Sequence, residues 1–173
     1  MKPYYLIYLY LLLLPFVAEA HGPTPQKARE SLVINAPASK VWPLVKDFDR
    51  IAEWHPGVTD SSGDGNNEAG AVRRLTLENG GVLEEGLDYY SDADHEYSYR
   101  LKTENLEALP VSFYTMSLQL IAEGEKTQVK WKGRFYRGDT SNFPPENLND
   151  AAAIEAMTAF IKQGLAGLKG KFE

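Results

Sequence analysis

Apolar residues fall along this chain in three regimes. From Tyr4 to Phe16 they form an almost unbroken run, preceded by Lys2 and followed by Ala18-Glu19-Ala20. Over Glu30 to Asn35, and again between Val58 and Arg137, apolar and polar residues alternate with the period of half-buried strands. Near the C-terminus Ile154, Met157, Ile161, Leu165, Leu168 and Phe172 follow spacings of 3, 4, 4, 3 and 4, which draw one stripe along a long helix with Asn149 as its N-cap. Gly164 and Gly167 each weaken that helix by about 1 kcal/mol relative to alanine, so packing against an apolar surface must hold it.

Between the first strand and the later ones, Pro37 suits the first turn of a helix whose positions Val41, Leu44, Val45 and Phe48 keep helical spacing. Pro43 removes a backbone donor inside it, which predicts a kink or a short helix, then a second short helix from about Asp49 to Trp54 before Pro56. The strand stretches are Ala71–Glu78, Val82–Tyr90, Glu96–Lys102, Val111–Ala122 and Thr127–Arg137, parted by Gly, Asn and Asp turns as in an antiparallel meander.

The N-terminal run is too short for a membrane span of roughly 20 apolar residues, and small residues at Ala18 and Ala20 suit a signal peptidase. Residues 1–20 are therefore expected to be a cleaved signal peptide and residues 21–28 a Pro-rich mobile leader, with one domain over 29–173 and an address in the periplasm. The net charge of −6, with no run of Lys or Arg shaped to follow a phosphate backbone, argues against nucleic acid. Without cysteine there are no disulfides and no thiolate chemistry, and no cofactor motif is present.

The hairpin around Asn79-Gly80-Gly81 decides which side chains face inward. A two-residue loop would put Leu75 and Leu77 on the face of Glu84, Gly86 and Asp88, mixing core with solvent. A three-residue loop puts Ala71, Arg73, Leu75 and Leu77 with Leu83, Glu85, Leu87 and Tyr89, and is the register expected here. It carries Arg73 and Glu85 inward as diagonal neighbours of compensating charge, either as polar anchors of a ligand or as a structural ion pair.

Of the histidines, His55 ends the second short helix and serves packing there or acid–base chemistry, while His95 belongs to a solvated turn. His21, at the expected mature terminus, offers an amine and an imidazole to copper, or is a frayed end. The loop Ser61 to Gly70 is not a phosphate loop, because no Lys follows its glycines and Asp64 and Glu68 repel anions.

The run Val33-Ile34-Asn35-Ala36-Pro37-Ala38-Ser39-Lys40-Val41-Trp42, followed by Trp54-His55-Pro56, resembles the START-like superfamily of polyketide cyclases and birch-pollen allergens. So do Gly70-Ala71-Val72-Arg73, Gly80-Gly81-Val82-Leu83-Glu84-Glu85-Gly86-Leu87, Leu109-Pro110 with Tyr114, and Ile161-Lys162-Gln163-Gly164-Leu165-Ala166-Gly167-Leu168. The resemblance implies an α+β helix-grip fold: a seven-stranded curved antiparallel sheet around the C-terminal helix, with two short helices after the first strand and an apolar cavity between. Arg73 and Glu85 would then stand in that cavity. Tyr97, Tyr99, Tyr114 and Trp131 would line it or serve as ordinary core, with Trp54 and His55 at its mouth and Met157 and Ile161 on the helix side.

Within the superfamily the secretory leader and the start His21-Gly22-Pro23-Thr24-Pro25-Gln26-Lys27 resemble MxaD-like periplasmic proteins of methanol oxidation. That likeness implies an accessory protein that assists methanol dehydrogenase or its electron transfer to a c-type cytochrome. The alternatives are a cyclase, dehydratase or isomerase using Glu85 or His55 as acid–base on a small carbonyl compound, a carrier of an apolar or amphipathic molecule, or an interaction module with a filled cavity. No complete catalytic motif favours the enzyme.

Overall fold

The computed structural model describes residues 22–173; the expected signal peptide and His21 lie outside them. Strand β1 (Gln26–Ile34) is followed by helix α1 (Ala38–Val45) and a 3-10 helix over Phe48–Glu53. Six strands come next: β2 (Val58–Gly63), β3 (Val72–Leu77), β4 (Val82–Ser91), β5 (Glu96–Thr103), β6 (Val111–Glu123) and β7 (Lys126–Arg137). Helix α2 (Asp150–Gly170) closes the fold. The strands make one antiparallel sheet in the order β1-β7-β6-β5-β4-β3-β2, so the first strand returns to pair with the last. This is the expected helix-grip.

Alternation along each strand gives the sheet one inner and one outer side. On β7 Thr127, Val129, Trp131 and Phe135 are buried while Lys132 and Arg134 are exposed. Helix α2 lies on the inner side, and the Asn149 side chain accepts from the Ala152 N–H at 3.0 Å, one of the donors left free at a helix start.

Four details depart from the sequence reading, the first being that Ser61–Gly63, read as loop, belong to β2 and pair with Leu75, Arg74 and Arg73. The buried stripe of α2 runs through Ala153, Met157, Ile161, Gly164, Leu165 and Leu168, and Ile154 is left 41% exposed. Periodicity marks a helix face but not how much of that face the sheet covers. Phe172 lies beyond the helix end and is half-buried. Finally, β1 begins at Gln26, so Gln26–Ala28, expected as mobile leader, are strand paired with Phe135, Arg134 and Gly133. Ladder hydrogen bonds to β7 order what composition alone marks as loose.

The glycines of α2 have a tertiary explanation. A Cβ at Gly164 would collide with the rings of His55 and Trp131, and one at Gly167 with Pro56 and the Trp54 carbonyl. The helix gives up propensity so that the Trp54-His55-Pro56 segment can approach its backbone.

Candidate polar site in the grip

The β3–β4 hairpin has the three-residue loop Glu78-Asn79-Gly80. The Leu77 N–H donates to the Gly81 carbonyl at 2.9 Å, and Gly80 holds φ +80°, where L-residues are strained. Leu75 therefore pairs with Leu83, and Arg73 stands directly opposite Glu85 rather than diagonal to it. Tyr89 does not share their face. A bulge in the β4–β5 ladder between Leu87 and Tyr89 adds a residue, so Tyr89 turns out and is 47% exposed, and Tyr90 takes the partly buried place.

Arg73 and Glu85 are each 1% exposed. The Arg73 Nε–H donates to Glu85 Oε2 at 2.5 Å, and its Nη1 donates to the Phe48 carbonyl at 2.7 Å, tying β3 to the 3-10 helix. Its guanidinium lies over the rings of Phe48, at 4.1 Å, and Tyr99, at 4.7 Å, where cation–π attraction adds to the ion pair. Glu85 Oε1 accepts from the Tyr114 hydroxyl at 2.6 Å, so each carboxylate oxygen has a donor. Beyond it the Trp131 indole donates to the Tyr99 hydroxyl at 3.0 Å. Burial works against the charged guanidinium, but the Glu85 carboxylate and the hydroxyls of Tyr99 and Tyr97 outweigh it and hold Arg73 above its ordinary value. Burial, then the Glu85 charge, push Tyr99 and Tyr114 well above the usual phenol range; burial pushes Tyr97 up to about 12 against the pull of Arg73. The tyrosines are thus neutral, Tyr114 as a donor to Glu85 and Tyr99 as an acceptor from Trp131.

Trp54 and His55 stand against Trp131, and Met157 and Ile161 are buried on α2. Trp54 packs on Trp131 with ring centres 5.6 Å apart, and its indole N–H is buried without a partner. His55 Nδ1 accepts from the Gly57 N–H at 3.1 Å, so its Nε2–H donates to the Phe160 carbonyl at 3.0 Å. Burial pulls it down from 6.5 to about 4 despite that carbonyl. Both ring nitrogens of His55 are thus engaged, and its ring lies 4.2 Å from that of Phe160. His95 lies in the turn between β4 and β5, half-buried rather than fully solvated, with its ring 5.2 Å from that of Trp42 and tilted 45° to it.

Eight of the ten residues expected around the grip are joined by direct contacts: Arg73, Glu85, Tyr97, Tyr99 and Tyr114 form one cluster, and Trp131 links it to Trp54 and His55, while Met157 and Ile161 lie on the buried face of α2. They crowd the space expected as an apolar cavity, each at most 2% exposed. Phe48 was not foreseen as a partner of Arg73; its helical spacing marked it only as core. A depression of about 440 Å³, floored by Ser98, Thr115 and Ser117, opens on the outer side of the sheet instead. Among the described residues no group of three or more His, Asp or Glu is placed to hold a metal, and no helix is long and apolar enough to cross a membrane.

A curved sheet closed on a long helix around a buried polar cluster defines a START-like helix-grip protein. Residues 25–173 match the model of the polyketide cyclase / dehydrase and lipid transport family, and the chain belongs to that family. Among solved structures it is similar to XoxI from Bacillus cereus, at 25% identity and TM-score 0.70 over 84% of this chain and 94% of that one. An uncharacterised protein from Bacillus thuringiensis has 24% identity and TM-score 0.70, over 85% of this chain and 98% of its own. The Zhui aromatase/cyclase from Streptomyces sp. R1128, at 18% identity and TM-score 0.65 over 86% and 93%, shares the fold. No curated protein sequence matches the chain.

Proposed function

We propose that the chain is exported by cleavage after Ala20 and works in the periplasm as a binding or accessory protein, without catalysis of its own. In this reading it grips the apolar body of an amphipathic small molecule and meets its polar end with Arg73, Glu85 and Tyr114. In doing so it assists methanol dehydrogenase and that enzyme's electron transfer to a c-type cytochrome. The observation that carries the binding role is the buried Arg73–Glu85–Tyr114 cluster, enclosed by aromatic walls. A core built for stability alone does not need it, since apolar replacements of a buried ion pair are commonly neutral or stabilising. The family's description supports a hydrophobic ligand. The methanol-oxidation role rests on the MxaD-like leader. Both oxygens of Glu85 and both nitrogens of His55 already hold partners, so neither is free as the acid–base group that a cyclase or dehydratase needs.

Native mass spectrometry of protein purified from its own periplasm tests the binding role. A co-purifying amphipathic molecule, lost when Arg73→Met and Glu85→Leu are combined, is the expected result. The accessory role is tested by electron transfer from purified methanol dehydrogenase to its cytochrome, which the protein should accelerate, less so as salt rises. No effect at any ionic strength would defeat it. The crowding of the grip favours a second reading, a rigid interaction module whose outer surface does the work; protein free of small molecules but bound to another protein would decide for it.

A further inference from the structure

The outer side of the sheet gathers charge that the sequence scatters. Lys27 and Arg29 point outward from β1, and Lys130, Lys132 and Arg134 from β7. The register sets Lys27 opposite Arg134 and Arg29 opposite Lys132. Like charges directly across an antiparallel pair destabilise it, and among the described residues none of the five has a carboxylate within 4.0 Å. Nothing in the fold requires them, because β1 and β7 are held from the inner side by Ala28, Ile34, Val129, Trp131 and Phe135. Four of the five line the depression of about 440 Å³, which has Phe113 and Tyr136 along its wall and no acidic residue. In a chain of net charge −6 this is a local reversal of sign.

The geometry points to a docking groove for an extended acidic segment of a partner protein. This goes beyond the reading above, since it needs neither a ligand in the grip nor a particular dehydrogenase. Outward side chains along a strand repeat every ~6.8 Å, and so do alternate side chains of an extended peptide, so carboxylates at every second position can meet Lys27 and Arg29 in turn, or Lys130, Lys132 and Arg134. Arginine forks suit carboxylates. The hydroxyls of Ser98, Thr115 and Ser117 line the floor, and exposed Phe113 offers an apolar side. A bilayer surface would meet a ridge better than a depression, and a long polyanion would be repelled by the rest of the molecule.

Fluorescence anisotropy with the mature chain compares a labelled peptide of alternating Glu and Thr with one of the same composition whose Glu residues are contiguous, at about 0.15 M salt. The alternating peptide should bind about tenfold more tightly. Combining Arg29→Glu and Arg134→Glu should weaken its binding by at least about tenfold without lowering the melting temperature, because each change turns a like-charge pair into an opposite one. Lys40→Glu, exposed on α1, should leave binding unchanged. Equal binding of the two peptides, or equal loss from Lys40→Glu, would overturn the proposal. So would tighter binding of phosphatidylglycerol vesicles or of inorganic pyrophosphate than of the alternating peptide, with the same sensitivity to the two substitutions.

Discussion

Arg73 and Arg74 are neighbours in sequence and opposite in consequence. Arg73→Ala leaves the Glu85 carboxylate buried without its counter-charge and should cost about 3–5 kcal/mol, whereas Arg73→Met with Glu85→Leu should cost much less. Arg74→Ala, on the exposed side, should change stability by no more than about 0.5 kcal/mol. Urea unfolding measures all three; a silent Arg73→Ala beside a damaging Arg74→Ala would mean that the hairpin is shifted by one residue. His55 makes stability depend on pH. Its folded value of about 4 lies below the 6.5 of the unfolded chain, so below 6.5 the unfolded state takes up the proton first. The His55 contribution is complete above pH 6.5 and is lost as pH falls from there to about 4, on the order of 3 kcal/mol in all. Unfolding free energies measured across that range should fall more steeply in the parent than in His55→Gln. Parallel curves would show that the imidazole is not desolvated. The alternation around Asn79-Gly80-Gly81 made the inward turn of Arg73 and Glu85 legible, but not their directly opposed pairing or the Phe48 carbonyl, since neither a ladder's alignment nor contact with a distant helix is coded in period.

At the scale of elements, the spacing of apolar residues located α2 and most strands because burial of one face is a local pattern. The two glycines of α2 tested that reading hardest. In an isolated helix Gly164→Ala gains about 1 kcal/mol. Here the added methyl meets the rings of His55 and Trp131, so the substitution should destabilise by about 1–3 kcal/mol. A rise in the urea midpoint would mean that the helix stands farther from the Trp54-His55-Pro56 segment than described. Gly170→Ala, with nothing near its Cβ, is the control that should not be damaging. Ile154 and Tyr89 mark where pattern stops informing: each obeys its element's period, yet one lies where α2 is uncovered and the other beyond a bulge.

For the whole molecule, the small residues at Ala18 and Ala20 predict a mature N-terminus at His21. Intact-mass measurement of the exported protein should find residues 1–20 missing, and a mass that retains them would remove the periplasmic reading. What the sequence by itself determined was most of the elements, the inner and outer side of most of their residues, and the presence of one inward Arg and one inward Glu. These follow from side-chain periods of 2 and 3.6 residues, which act within a few residues of chain. Only the tertiary structure decided that Arg73 is clasped by Phe48 and Tyr99, that Glu85 binds Tyr114, and that Lys27 and Arg29 of β1 face Arg134 and Lys132 of β7. Each of these joins residues far apart in the chain. Their meeting depends on which strands pair and in what register, and that choice is made by the packing of the whole sheet against α2 rather than by any segment's own pattern.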